Sequence, residues 1–515
     1  METLPIGVQN FERLRQYKLL YVDKTGKLLE LIQNGQRYFL SRPRRFGKSL
    51  TLSTLEAMFS GKKEYFHGLA VEDWVKMQAE NPSLVLRLDM SGLDIQTPQT
   101  LEQSLKEVIV RAGKKYKAEI QSETLNGMFT DLLDEIYKVH GAIVVLVDEY
   151  DKPILDNIND MQKADEMRGV LRSFYTTLKS CDEYLRFVML TGISKFSKVG
   201  VFSAMNNLED ISMDRRYGDI TGYTQIELEN YFGEWIDNAA DRMKLTSGEL
   251  LKRLKEYYDG FSFDGVTRLY NPFSIMQCLA KAKLNNYWYV SGSPTFMIKY
   301  MKEHKIQDPD EYRHLEVASD FADSNEIESS KPESFLYQSG YLTIENWKDD
   351  VITLDYPNEE VMKSIVRMYL DEIYHVRRYI TLGTELWKTL EVGDIKTTVE
   401  LFNTAIAGVP YDDFPNRNEY WYRSLFLMLL RGAGIISYAE VHTFKGRADL
   451  VISFNNLIVV LEFKIASTTS EIDKKKVEGL NQINDREYAK SYDTEKRKVV
   501  TAVLVVDDQK RSISL

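Results

Sequence analysis

Between Tyr38 and Leu50 the chain reads YFLSRPRRFGKSL. A short apolar run, Tyr38-Phe39-Leu40, leads into Pro43, two arginines and Gly47-Lys48-Ser49. An apolar helical pattern (Leu50, Leu52, Leu55, Phe59) follows. Strand, tight turn and helix in that order predict a phosphate-binding loop. The first N–H groups of a helix lack internal partners and point at an anion, and the helix dipole favours negative charge there. The expected nucleotide contacts are Arg45, Phe46, Gly47, Lys48, Ser49 and Leu50. Lys48 would reach the β/γ-phosphates of ATP and the Ser49 hydroxyl would ligate Mg²⁺. The motif G-x-x-x-x-G-K-[ST] asks for glycine at position 42, where this chain has Arg42. Arginine resists positive φ, so the start of the loop must take a different backbone path. The half-motif alone also fits a chance Gly-Lys-Ser in a surface turn, and the rest of the chain has to decide.

A chain of 515 residues is too long for one core and implies several domains. Its hydrophobic and charged fractions are those of a soluble globular protein, with no apolar run long enough to span a bilayer. The opening METLPIGVQNFERLR lacks the apolar core of a signal peptide. Two cysteines far apart, Cys181 and Cys278, fit a reducing cytosol and give no disulfide framework. The six histidines are scattered without metal-ligand spacing. A net charge of −11 excludes generic nucleic-acid binding by the whole molecule. Any contact with DNA or RNA must come from a local face.

A second decisive stretch is GAIVVLVDEYD, Gly141 to Asp151. Ile143 to Val147 is a continuous aliphatic run, as in a central parallel strand buried on both faces. It ends in Asp148-Glu149. An acidic pair at that end is where Mg²⁺ and the attacking water sit in phosphate-loop ATPases. Asp148 is expected to hold Mg²⁺ through water, and Glu149 to polarise the hydrolytic water. A third strand, Leu185 to Gly192, ends in a polar residue. Thr191 is the expected contact to the γ-phosphate or water, with Ser194 second. Alternating strands and helices predict a doubly wound α/β domain.

At this point the resemblance becomes specific. VDKT (22–25), SRPRRFGKSL (41–50), VDEYDKPIL (147–155), TGISKFSKVGVFSAMNNL (191–208) and YDGFSF…YNPFSI (258–275) resemble the bacterial AAA-ATPase-like family. Members join this ATPase to a PD-(D/E)XK nuclease-like C-terminal domain, and the replaced first glycine is the family's own pattern. The resemblance implies a helical lid after the core, over residues 225–325, including Trp288 and the SGSP turn at 291–294. Arg215 and Arg216 are candidates for an arginine finger, though a basic pair before a turn is more often a solvated one. From the residues themselves, 333–357 read as a short helix and a two-strand hairpin, a winged-helix-like element. Its wing is acidic (Asp349, Asp350, Asp355), which favours a connecting role over DNA binding.

The C-terminal region carries its own constellation. Gly446 to Ile452 reads as a strand, Asn455-Asn456 as a turn and Leu457 to Lys464 as the returning strand. Glu462 and Lys464 are two apart and share a face, with Asp449 on the partner strand. Carboxylates suit Mg²⁺, a hard cation that prefers oxygen. Lys464 would orient or deprotonate the water, or stabilise charge on the phosphate. Asp-x₁₂-Glu-x-Lys inside apolar strands matches the PD-(D/E)XK pattern, with Ala448 where proline is usual. Glu419 resembles the family's upstream acidic residue that helps hold metal. Gln482, with Tyr488 beside it, resembles its downstream glutamine. Against this stands a structural ion-pair cluster of the same residues. Lys474-Lys475-Lys476 on a helix, and Lys496 to Lys498 before a last strand (499–506), support polyanion binding only weakly.

The expected architecture is α/β. Residues 1–224 form a P-loop AAA-like ATPase core, 225–325 a helical lid, 326–360 a winged-helix-like connector and 361–515 an α/β PD-(D/E)XK nuclease-like domain. The expected function is ATP hydrolysis coupled to a Mg²⁺-dependent nuclease-like module. Its catalytic residues would be Glu149, Asp449, Glu462 and Lys464, and its metal ligands Ser49, Asp148, Glu419, Asp449 and Glu462. ATP and Mg²⁺ are the cofactors and DNA or RNA the expected polymer. No membrane is expected, the setting is cytoplasmic, and a homo-oligomer is left open. The alternative is an ATP-driven signalling switch whose nuclease-like module binds without cutting.

Overall fold

The computed structural model describes residues 1–158, 160–195, 207–290, 298, 301, 309–322, 331–376, 379–409, 418–492 and 497–515. The SGSP turn, most of the TGISKFSKVGVFSAMNNL stretch and Lys496 therefore lie outside the described residues. The chain divides into two compact units, Met1–Phe296 with Tyr312–Val361, and Met297–Glu311 with Met362–Leu515.

The first unit is built on five parallel strands: β1 (Arg37–Ser41), β2 (Val85–Asp89), β3 (Ile143–Asp148), β4 (Leu185–Gly192) and β5 (Glu209–Asp210), in the order β2-β3-β4-β1-β5. β3 is buried along its whole length, which explains its unbroken aliphatic sequence. Val144 and Leu146 enter the core shared with Leu52, Leu55 and Phe59 of the helix Lys48–Phe59. Val145 and Val147 point to the opposite face. Helices Leu125–His140 and Met161–Ser180 pack together, with Phe129 stacked on Phe174 at 4.5 Å. β4 lies between β1 and β3, and the register brings the carboxyl ends together: Ser41 beside Gly192, Val147 beside Leu190 and Asp89 beside Asp148.

Three helices follow, Gln225–Arg242, Ser247–Tyr258 and Pro272–Lys281. The first two start with reciprocal caps between Thr224 and Glu227 and between Thr246 and Glu249, the T-x-x-E signature of a helix start. Their shared core includes Leu4, Leu20 and Val22 from the chain's beginning, so this helical layer is not closed by its own sequence. β6 (Leu315–Ala318) pairs with β8 (Val351–Asp355), which pairs with β7 (Thr343–Lys348). The helix Pro332–Ser339 precedes this hairpin as expected. The strand β6 falls inside the region read as mainly helical. Its four residues alternate between half-buried and exposed, a stretch too short to read from sequence, and pairing with β8 makes them a strand.

The second unit holds a mixed sheet in the order β13-β12-β11-β10-β9, made of β9 (Ile436–Thr443), β10 (Gly446–Phe454), β11 (Leu457–Ala466), β12 (Lys498–Asp507) and β13 (Ser512–Ser514). β12 is not the final strand, because three residues of β13 pair back onto it. β11 and β12 are parallel, and the helix Ile472–Asp485 makes the crossover that a parallel pair requires. Gly479 lets it lie close to the sheet, since a Cβ there would come within 2.6 Å of the Val503 side chain.

Glu360 is fully buried in the first unit, with Oε1 accepting from Trp288 N at 2.8 Å. Burial raises its pKa from 4.5 to about 7, despite hydrogen bonds that favour the anion. The folded state therefore binds more protons than the unfolded state between those values. Stability falls as pH rises through that window, and the full cost, about 3 kcal/mol, is present above pH 7. Glu360→Gln keeps the acceptor and removes the charge. Its melting temperature is expected to exceed the parent's near about pH 8 and to converge with it near about pH 4.5. A difference that does not change with pH would show that the carboxyl carries no such cost.

Candidate functional site

The loop after β1 is held by two left-handed residues, Arg45 (φ 66°) and Gly47 (φ 95°). Gly47 precedes the helix Lys48–Phe59, which starts without any side-chain cap. Its first N–H groups are thus available to an anion. They open on a cleft of about 410 Å³ whose wall includes Arg44, Arg45, Phe46, Gly47, Lys48 and Ser49. Leu50, Glu149 and Asp151 also line it, together with Tyr223, Phe273 and Met276 from much later in the chain. Arg45 lies over the Phe273 ring at 4.9 Å, and Phe46 packs edge-on against Phe261 and Phe263. The aromatic residues of YDGFSF…YNPFSI therefore serve as the seat of the loop.

Arg42 is 1% exposed. It does not occupy a left-handed position, and its guanidinium turns away from the role a glycine would have. Nη1 donates to the Ser41 and Ser212 carbonyls at 2.9 and 2.7 Å, Nη2 to the Tyr217 carbonyl at 3.3 Å, and the group lies 4.2 Å from the Phe263 ring centre. Lys48 folds back on the loop, donating to the carbonyls of Arg42 (2.8 Å) and Pro43 (3.0 Å). Burial lowers its pKa to about 8, while Asp148, Asp151 and Glu149 pull the other way.

At the end of β3, Asp148 is buried and accepts from Thr191 Oγ1 at 3.0 Å. Asp148 and Thr191 are joined behind the cleft and do not line it. Glu149 does, in a left-handed backbone (φ 52°), and burial raises its pKa. Ser194 Oγ donates to Asp151 at 2.7 Å instead of facing a phosphate. Arg216 pairs with Asp214 and Glu209, and Arg215 is exposed; neither lines the cleft. Two residues were not read as functional from sequence. Arg87 bridges Asp148, Glu56 and the Ser49 carbonyl. Asp151 accepts from the backbone of Ile193 and Ser194, tying the end of β3 to the end of β4. An arginine interrupting the apolar strand VLRLD was the available signal for the first.

In the second unit β10 pairs with β11 up to Leu450 opposite Leu461. At the next position Asp449 Oδ2 takes the Phe463 N–H at 2.7 Å, so a side chain substitutes for the ladder. Glu462 is 1% exposed, with Oε1 bonded to Lys464 Nζ at 2.5 Å. Among the described residues its other oxygen, Oε2, has no hydrogen-bond partner. Burial, then the Asp449 charge, raises the Glu462 pKa to about 7. Burial also raises Glu419, at the start of the helix Glu419–Gly432, which acts electrostatically on Lys464 and Asp449. The sequence did not reveal Arg423 and Glu440. Arg423 Nη1 lies 3.8 Å from Asp449 Oδ1 and bonds Glu440, which also holds Arg447. A lone arginine inside YWYRSLFLMLL was the signal. Gln482 donates to the Tyr488 hydroxyl at 3.2 Å. Lys475 and Lys476 are engaged by Glu478 and the Leu515 carbonyl. On the three-stranded sheet His314 meets Glu345 and Asp355, with Arg313 also on Asp355, an ion-pair cluster.

These features define a phosphate-loop ATPase-type module followed by a nuclease-superfamily module. Residues 5–202 match the model described as "Predicted AAA-ATPase", and 417–514 that of the "PD-(D/E)XK nuclease superfamily". The chain is 34% identical over 503 residues to the "Uncharacterized protein in vnfD 5'region" of Azotobacter chroococcum mcd 1, covering 95% of this chain and 93% of that one. It belongs to the bacterial AAA-ATPase-like family with a C-terminal PD-(D/E)XK nuclease-like domain. Solved structures with a similarity include Aeropyrum pernix ORC1 in complex with DNA (9% identity, 84% of this chain, 88% of that one, TM-score 0.24). Another is A. pernix ORC2 in ADPNP–ADP complexes (11%, 81%, 85%, TM-score 0.28). Among the described residues no helix is long and apolar enough to cross a membrane.

Restoring the missing motif glycine should harm this loop. Arg42→Gly leaves three buried carbonyls without their donor, and the expected loss is on the order of 3 kcal/mol or more. ATP binding should weaken with it, whereas a variant as stable as the parent by denaturant titration would show that Arg42 is dispensable.

Proposed function

We propose that this protein is an ATPase whose cycle is coupled to a Mg²⁺-dependent nuclease-like module that hydrolyses phosphodiester bonds in DNA or RNA. One observation carries the second half: a buried carboxylate oxygen, Glu462 Oε2, left without a hydrogen bond beside Asp449 and Lys464. A buried orphan of this kind costs free energy unless a ligand satisfies it. The oxygen donors suit Mg²⁺. Bound there, the ion would supply Lewis-acid polarisation of the phosphate and a more acidic water.

Asp449 and Glu462, with Glu419 at the flank, hold the ion. Lys464 stabilises charge developing on the phosphate or orients the attacking water. In the first unit the uncapped helix start binds the ATP phosphates, and Lys48 exchanges its carbonyl partners for phosphate oxygens. Ser49 and Asp148 are the residues suited to its Mg²⁺, Glu149 polarises the water, and Thr191 positions Asp148. Two buried free cysteines suit a cytoplasmic setting.

Purified protein is incubated with Mg²⁺ and mixed DNA and RNA, with and without ATP. Lys48→Ala should abolish ATP hydrolysis, and Glu149→Gln should bind ATP but turn it over slowly. Asp449→Ala should stop cleavage while ATP hydrolysis stays near the parent rate. If Asp449→Ala cleaves like the parent, the C-terminal assignment is wrong.

A specific contact favours the rival reading. Arg423 beside Asp449 and Lys464 on Glu462 give each carboxylate a cation, as a structural cluster would. Thermal melts of the parent and Lys464→Ala, with and without Mg²⁺, separate the two. The metal-site reading expects Mg²⁺ to stabilise both proteins and cleavage by the variant to fall about 10²–10⁴-fold. A parent indifferent to Mg²⁺, with a variant weakened by about 3 kcal/mol that Mg²⁺ does not restore, supports the cluster.

A further inference from the structure

β9 and β10 are joined by two residues, Phe444 and Lys445, between the paired Thr443 and Gly446. Phe444 is 104% exposed, the most exposed of the large apolar side chains among the described residues. Two-residue hairpin turns favour Asn-Gly or Gly-containing pairs, so the turn itself does not call for phenylalanine. Nor does the ring contribute burial to the fold.

The hairpin that presents it is braced. Arg486 donates to the Lys445 carbonyl at 2.8 Å, and Lys445 Nζ pairs with Glu487 at 2.9 Å. Tyr488 lies so close that a Cβ on Gly446 would be 3.1 Å from its ring, and Gln482 donates to the Tyr488 hydroxyl. The motif glutamine thus supports the hairpin from behind.

The surroundings are cationic. Lys445, Arg447, Arg486 and Lys490 outnumber Glu440 and Glu487 around the hairpin, with Glu487 shared between Lys445 and Lys490 and Glu440 paired with Arg447. Residues 418–515 hold 15 Lys and Arg against 13 Asp and Glu, in a chain whose net charge is −11. The strand that leaves the tip starts at Gly446 and carries Asp449 three residues on, about 10 Å along it at ~3.3 Å per residue.

We propose that the β9–β10 hairpin is a single-strand contact of the nuclease-like module, in which the Phe444 ring stacks on an unpaired base a few nucleotides from the phosphate held at Asp449 and Glu462. It rests on the nucleic-acid reading given above. An exposed aromatic face binds any base by stacking, and flanking cations track the backbone. The substrate class is therefore nucleic acid with unpaired bases, in preference to intact duplex.

The test is fluorescence anisotropy with a labelled 20-mer of thymidylate and a labelled duplex, in EDTA so that nothing is cut. Phe444→Ala should weaken single-strand binding about 10-fold with an unchanged melting temperature and ATPase rate. Phe444→Trp should restore binding, and its added fluorescence should be quenched by the oligonucleotide. Equal affinity of parent and Phe444→Ala overturns the hairpin proposal and leaves the nucleic-acid reading intact. A Phe444→Trp variant as weak as Phe444→Ala overturns stacking. A parent that binds neither probe overturns both. If Phe444→Ala changes the parent's sedimentation mass but not its oligonucleotide affinity, the ring is a protein contact and the proposal fails.

Discussion

Arg42 is almost fully buried, yet its guanidinium reaches three carbonyls that belong to different parts of the first unit. One lies at the end of β1, one just after β5 and one on the short turn before the helical layer. A cation taken out of water is costly unless hydrogen bonds replace its hydration. Here carbonyl dipoles and the face of Phe263 do so, and burial still lowers the pKa to about 10. The consequence is a loop whose start is fixed by a side chain where other phosphate loops use a flexible backbone. Lys48 rests on the Arg42 carbonyl, so the same residue that anchors the loop also positions the lysine.

The two units solve one electrostatic problem in the same manner. Each places carboxylates on apolar strands, at the end of β3 in the first unit and within β10 and β11 in the second, where burial disfavours a lone charge. Each sets cations beside them: Lys48 and Arg87 around Asp148 in the first, Lys464 and Arg423 around Glu462 and Asp449 in the second. Compensation remains incomplete in the second unit, where Glu462 is raised to about 7 and one of its oxygens is unbonded. The metal site proposed above rests on this incomplete compensation.

Continuity in sequence does not coincide with continuity in packing. Leu4, Leu20 and Val22 complete a core whose other members begin beyond Tyr223, and Lys24 pairs with Glu227 across the same boundary. The cleft beside the phosphate loop is accordingly lined both by that first segment and by Phe273 and Met276. A ligand seated there would contact both, which links occupancy to the arrangement of the helical layer.

Much was legible in the sequence because it depends on local rules. The strand–loop–helix around Gly47, the unbroken run before Asp148 and the two-apart pair Glu462 and Lys464 follow from backbone geometry and period. The fold class could be read from them, and the family from the resemblance carried by VDKT, SRPRRFGKSL and VDEYDKPIL. What the sequence could not supply depends on residues distant along the chain. Pairing turns Leu315–Ala318 into a strand, since an alternation only four residues long is too short to stand out along the chain. Only the assembled sheet puts β4 between β1 and β3, so that Thr191 meets Asp148. The fate of a charge inside an apolar run was equally hidden: Arg42, Arg87 and Arg423 announce themselves as anomalies, but their partners are carbonyls and carboxylates from other elements. Local sequence fixes which groups must be satisfied, and tertiary packing decides which atoms satisfy them, because desolvation penalises every buried polar group until a partner is brought to it.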